Sequence, residues 1–153
     1  METENNNWGQ SVTGVLIRDN KVLLGRHTYG SGQGRLIIPG GYVKNDESPQ
    51  EAVKREFLEE VNVVIEPKEI IGVRFNMRDW YIAFAVDYVS GEAQSDNNEN
   101  SEVLWVDVDE ALERDDVPEL TKKLVRCALH RENGFKSIPY NGRHTPCSLY
   151  GVE

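Results

Sequence analysis

The feature that most constrains this chain is a short helix that must carry three glutamates on one patch. Ser48-Pro49-Gln50-Glu51 reads as its start: Ser48 can cap, Pro49 suits the first helical position, and Glu51 completes a capping box. The helix should run to about Val61, where Asn62 can take the left-handed conformation that ends it. Residues three or four apart share a helical face, so Glu56 lies beside both Glu59 and Glu60. Val53, Phe57 and Val61 repeat every four residues and anchor the other side in a core. Three crowded carboxylates repel one another unless cations or protons intervene. Magnesium or manganese, hard cations that take oxygen ligands, suits such a patch. An acidic helix face is commonly no more than a solvated surface, so the surroundings carry weight. Gly40-Gly41 precede the helix and let backbone carbonyls approach a ligand closely. Arg55, four residues before Glu59, can hold that carboxylate in place or form a surface ion pair of little energy.

Around this helix the pattern is mostly strand. Ser11 to Arg18 is rich in Val, Leu and Ile, Asp19-Asn20 breaks it, and Lys21 to Gly25 resumes it, which reads as a β-hairpin. A Gly-rich loop from Gly30 to Gly34 leads to a short strand, Leu36-Ile37-Ile38, closed by Pro39. Strands are expected near residues 69–76, 80–89 and 103–106, and helices near 107–114 and 118–130. Between Ser90 and Asn100 lies a polar loop with several acids, and no structure is assigned from Glu132 onward. One well-capped helix among strands points to an α/β (α+β) fold, a curved mixed sheet with helices on its faces.

Length and charge narrow the function classes. At 153 residues the chain fits one domain, taken as residues 1–131 with a C-terminal extension over 132–153. A net charge of −9 argues against a non-specific nucleic-acid surface, although cations can seat an anionic ligand on an acidic protein. No apolar run reaches the length of a membrane span, and the polar start lacks the features of a signal peptide. Cys127 and Cys147 lack metal-ligand spacing. The expected address is the cytoplasm, with reduced thiols; the oligomeric state stays open, a homodimer included.

The spacing of the charged residues then adds a family resemblance. Gly41, five residues, Glu47, seven residues, and Arg55-Glu56-Phe57-Leu58-Glu59-Glu60-Val61-Asn62-Val63 resemble the Nudix box. The motif fixes a glycine, an arginine and four glutamates over 23 positions, and the likeness extends over residues 8 to about 131. Phe57 stands where the pattern has an aliphatic residue and Asn62 where it has Gly; neither change touches a carboxylate. The resemblance implies an α/β/α sandwich and metal-dependent hydrolysis of a nucleoside diphosphate linked to another group. Glu56, Glu59 and Glu60, with the Gly40 carbonyl, would bind magnesium or manganese, and Glu47 and Arg55 would orient the carboxylates. The base would be a box glutamate or a loop glutamate, Glu99 or Glu102, with Glu102 slightly preferred. Arg26, Arg35, Arg74 and Arg78 are candidates for phosphate oxygens. Tyr29, Tyr42, Phe75, Trp80 and Tyr81 are candidates for stacking on a base, while His27, His130 and His144 show no metal spacing. The implied partner is a small nucleotide-like molecule. A non-catalytic nucleotide sensor is the alternative, which the complete set of box acids disfavours.

Overall fold

The computed structural model describes residues 9–153. The chain opens with β1 (Gln10–Arg18) and β2 (Lys21–His27). Arg18 faces Lys21 across a two-residue turn in which Asp19 and Asn20 both have left-handed backbones, φ 53° and 61°. That turn matches the right-handed twist of the flanking strands, and Asn and Asp tolerate it better than other side chains. There follow β3 (Leu36–Ile37), β4 (Gly40–Tyr42), α1 (Pro49–Val61), β5 (Val64–Phe75), β6 (Trp80–Ser90) and β7 (Asn100–Asp107). Two helices, α2 (Val108–Glu113) and α3 (Glu119–Ala128), then lead to β8 (Lys136–Ile138) and β9 (Leu149–Gly151).

Seven strands form one mixed sheet in the order β3-β2-β1-β6-β5, with β4 also pairing β1 and β7 also pairing β2. β1 is the hinge of this arrangement. It runs parallel to β6 from Gln10 to Leu16, pairs antiparallel with β4 through Ser11 to Thr13, and turns to β2 only at Ile17 and Arg18. The sheet therefore splits at β1, and the split sets β4 and its two glycines beside α1. Successive β1 residues serve opposite faces, as strand alternation requires. Val15 joins the core under α2 and α3 with Leu124, Val125 and Ala128, whereas Leu16 joins the core under α1 with Val53, Phe57 and Val61. Helices thus cover both faces, giving the α/β/α layering. Among the described residues no helix is long and apolar enough to cross a membrane.

β5 begins at Val64, earlier than the sequence pattern indicates, and contains Pro67. Proline cannot donate to a ladder, but β5 is the sheet's edge strand, where that loss is tolerated. The tail after residue 131, expected without assigned structure, makes an antiparallel hairpin of β8 and β9. Phe135 exchanges backbone hydrogen bonds of 2.9 and 3.0 Å with Ile70 on β5. Tyr150 sets its ring edge against Phe84, with centroids 5.9 Å apart, and accepts a 3.2 Å hydrogen bond from Gln50 Nε2 at the start of α1.

Candidate active site

The box helix begins and ends as its sequence dictates. Ser48 Oγ accepts from the Glu51 amide at 3.1 Å, and Glu51 Oε1 accepts from the Ser48 amide at 2.9 Å, closing the capping box. Asn62 terminates the helix in a left-handed backbone with φ 63°. Val53, Phe57 and Val61 are all buried. With the apolar stripe fixed against the sheet, the carboxylates one position away are brought to the edge of the core.

Glu60 is the unusual one, at 4% exposed. Its Oε2 accepts a 3.1 Å hydrogen bond from the Gly40 amide on β4. Glu56 lies beside it, its carboxylate only 12% exposed, and the two carboxyl groups are hydrogen-bonded to each other. The glycine at position 41 has a steric reason: a Cβ there would run into the Glu56 carboxylate. Burial raises Glu56 to about 7, against the opposing pull of the Arg55 charge. Burial also lifts Glu60 well above the ordinary carboxylate range, and the charges of Glu56 and Glu99 push it further. Two buried carboxyls set side by side are a place where positive charge is short.

Arg55 organises the surrounding acids. Its guanidinium grips Glu47 through two bonds of 2.6 and 3.1 Å, donates 3.0 Å to the Tyr42 carbonyl, and stands 3.3 Å from both Glu56 and Glu59. Glu47 also caps the Lys44 amide at 2.9 Å, so loop, strand and helix meet on one side chain. The bond to Glu47 raises Arg55 above its usual range. A surface ion pair does not describe this residue, which is held by three carboxylates and a backbone carbonyl.

Glu59 is the more open of the three acids, and its charge acts on Glu56. Its side chain is 56% exposed and its contact is with Arg55. Among the described residues no three acidic, His or Cys side chains stand converged as a finished metal site. The donor set nevertheless fits a divalent cation. It consists of oxygen donors, two of its carboxylates buried with a shortage of positive charge, and hard cations take such ligands.

Of the two loop glutamates, the structure brings Glu99 and not Glu102 to this pair. The charge of Glu99 acts on both Glu56 and Glu60. Glu102 instead forms a 2.6 Å ion pair with Arg26 and is 45% exposed. Sequence spacing sets both acids at the entrance to β7, three residues apart, so strand alternation sends them to opposite sides.

A cleft of about 460 Å³ lined by His27, Tyr29, Arg35, Tyr42, Arg78 and Tyr81, among others, connects to the carboxylate cluster through Tyr42 and Tyr81, although no box glutamate lines it. The candidate arginines divide. Arg26 is taken by Glu102 and Asp116, and Arg74 by Asp79 at 3.0 Å, whereas Arg35 and Arg78 reach the cleft without an ion pair to any described residue. The aromatics divide as well. Tyr29, Tyr42 and Tyr81 line the cleft, while Phe75 and Trp80 pack edge to face on one another at 5.4 Å, both largely exposed. Burial raises the Tyr81 hydroxyl to about 12; it is hydrogen-bonded to Thr13 and feels the Glu60 charge, so it links cleft and carboxylates. His27 is the residue that sequence reasoning set aside. It stacks on Tyr29 at 6.0 Å and burial lowers its proton affinity. Its place at the end of β2, just before the Gly-rich loop, was the available clue.

A family model for the NUDIX domain matches residues 8–126. The chain belongs to the Nudix hydrolase family. A MutT-like protein of Streptomyces ambofaciens is 33% identical over 105 residues, 68% of this chain and 67% of that protein. An ADP-ribose pyrophosphatase of Methanocaldococcus jannaschii is 33% identical over 91 residues, 56% of this chain, and the match spans only 54% of that relative. The crystal structure of a Nudix hydrolase from Nitrosomonas europaea superposes with a TM-score of 0.72 at 23% identity, covering 87% of this chain and 76% of that one. At that identity the likeness speaks for the Nudix fold alone.

Proposed function

We propose that this Nudix hydrolase uses magnesium, or manganese in its place, to cut the diphosphate bond of a nucleoside diphosphate linked to another group. The observation that carries the reading is the buried Glu56–Glu60 pair, short of positive charge, beside a cleft with two arginines free of ion pairs to described residues. Glu56, Glu59 and Glu60, with the Gly40 carbonyl, would hold the cation. When bound, it would neutralise the diphosphate and activate water for attack on phosphorus. Water adds to one phosphorus, the bridging P–O bond breaks, and each product leaves with a terminal phosphate.

The chain's own residues do the rest. Arg55 and Glu47 hold the helix face and β4 in register, so that the carboxylates do not drift. Glu99 serves as the base, since its charge acts on both members of the pair. Tyr29, Tyr42 and Tyr81 offer ring faces to a base, and Arg35 and Arg78 offer donors to anionic oxygens. A cytoplasmic address belongs to the same proposal and agrees with Cys127 and Cys147 both being free thiols.

The test is a screen over nucleoside diphosphate derivatives with magnesium, in which an added phosphatase frees phosphate from the monoester products, ADP-ribose first because of the archaeal relative's name. Metal-dependent turnover that stops on chelation is expected. Tight binding across the panel without turnover would make the protein a sensor instead.

A further inference from the structure

An α-helix leaves its last four carbonyls without donors of its own. In the box helix two of these are taken by the loop that precedes β7 and by the first residue of β7. The Gln94 amide donates to the Val61 carbonyl at 2.9 Å, and Asn100 Nδ2 donates to the Glu60 carbonyl at 2.8 Å. A third bond comes from the helix side: Asn62 Nδ2 donates to the Glu92 carbonyl at 3.0 Å. The loop is braced internally as well. Asp96 Oδ1 accepts from the Asn98 and Asn100 amides at 2.9 and 3.1 Å, and Ser95 Oγ donates to the Asn100 carbonyl at 3.1 Å. Thr28 fixes the outer side, its hydroxyl donating to the Asn98 carbonyl at 2.7 Å and its amide to the Glu99 carbonyl at 3.1 Å.

Asn62 stands where the box pattern has glycine. Either residue satisfies the left-handed backbone, but only asparagine brings a side-chain donor. Asn100 is 2% exposed, so its bond to Glu60 is shielded from water. We infer that Asn62 and Asn100 are positioning residues that tie the loop 92–99, and with it Glu99, to the end of the box helix that carries Glu56 and Glu60. The departure from the box pattern is then a second attachment point for the loop, beyond its effect on where the helix stops. This inference rests on the proposed cation site, and its test must tell the two apart.

The experiment is a mutant cycle read by Mn²⁺ titration of the full chain, followed by paramagnetic resonance without substrate. Asn62→Gly keeps the backbone conformation and removes one donor; Asn100→Ala removes the buried one; each is also made in a Glu99→Gln background. Losing one such hydrogen bond is worth about three- to tenfold. Mn²⁺ affinity should fall by about that factor in each variant, and the loss should vanish once Glu99 is Gln, because the tether acts through that residue. With a substrate in hand, kcat should drop similarly while KM holds. If Asn100→Ala does not fold, Asn62→Gly decides alone. Unchanged affinity in Asn62→Gly, or an equal loss with and without Glu99, overturns the inference. Should wild type bind Mn²⁺ yet hydrolyse nothing, the proposed reaction fails and the cycle still judges the tether. If wild type binds no Mn²⁺, both fall together.

Discussion

Two of the molecule's clusters of arginines and carboxylates behave in opposite ways. In the first, Arg26 and Arg114 share Asp116 at 3.1 and 2.8 Å, with Glu102 and Glu110 completing the network at 2.6 and 3.0 Å. Every member is partly open to solvent, and the two guanidiniums hold Asp116 well below the ordinary carboxylate range. In the second, one guanidinium, Arg55, faces Glu47, Glu56 and Glu59, with Glu60 and Glu99 close behind. There the two innermost carboxyls are buried and raised. Where two arginines meet three partly exposed carboxylates, each acid already has its partner and little is left to offer a ligand. A network that buries more negative than positive charge has a standing demand for a cation. The number of acids does not separate scaffold from site; their pairing and burial do.

The largest effect should come from Glu60→Gln. The change keeps shape and helix propensity and removes one negative ligand, so turnover should fall by several orders of magnitude in initial-rate assays at saturating magnesium. Folding without metal should survive, because one of the crowded like charges is gone. A near-normal rate would reduce the second cluster to a solvated face. Next in size is Arg55→Ala, expected to cost about 10- to 100-fold in turnover by releasing Glu47, Glu56 and the Tyr42 carbonyl. Arg55→Lys should recover little, since a single ammonium cannot reproduce the bidentate grip on Glu47.

The pH dependence sharpens the contrast. A buried acid whose folded pKa is raised stabilises the fold below its unfolded pKa, and that contribution is lost as pH rises through the folded value. For Glu56 the window runs from 4.5 to about 7, and Glu60 extends it upward. The metal-free protein should therefore melt lower as pH rises across that window, by roughly 5 °C relative to Glu56→Gln. A flat difference between the two melting curves would mean the pair is not buried as described. Asp116 has the opposite sign: its folded pKa is depressed, so its contribution is present above its unfolded value and fades only in strong acid. The smallest effect should be that of Glu102→Gln, which loosens a half-exposed pair with Arg26. Activity should change by less than about threefold and stability by about 1 kcal/mol or less. A large loss of turnover would return the base to Glu102.

How much of this was legible in the sequence depends on how local the cause is. The box helix, its capping box and its end at Asn62 could be read because each rests on residues within four positions of one another. The hairpin at Asp19-Asn20 was legible for the same reason. Choosing Glu99 over Glu102 needed the ion pair of Glu102 with Arg26, which joins segments far apart in the chain. The fates of Arg26 and Arg74 depended on Asp116 and Asp79, partners that no spacing rule could assign. The tail hairpin was hidden because β8 and β9 are three residues each, too short for alternation to register. Their place is set by Tyr150 meeting Phe84 and Gln50.

The central claim is that the Glu56–Glu60 pair is a cation site, and thermal unfolding at pH 8 with and without magnesium tests it most directly. At that pH the pair gains most from a cation, because protons no longer supply the missing charge. A ligand that binds only the folded state raises the melting temperature. Magnesium should raise the melting temperature of wild type and of Glu102→Gln alike, and leave Glu60→Gln nearly unmoved. An equal rise in all three proteins would place the cation elsewhere and contradict the account.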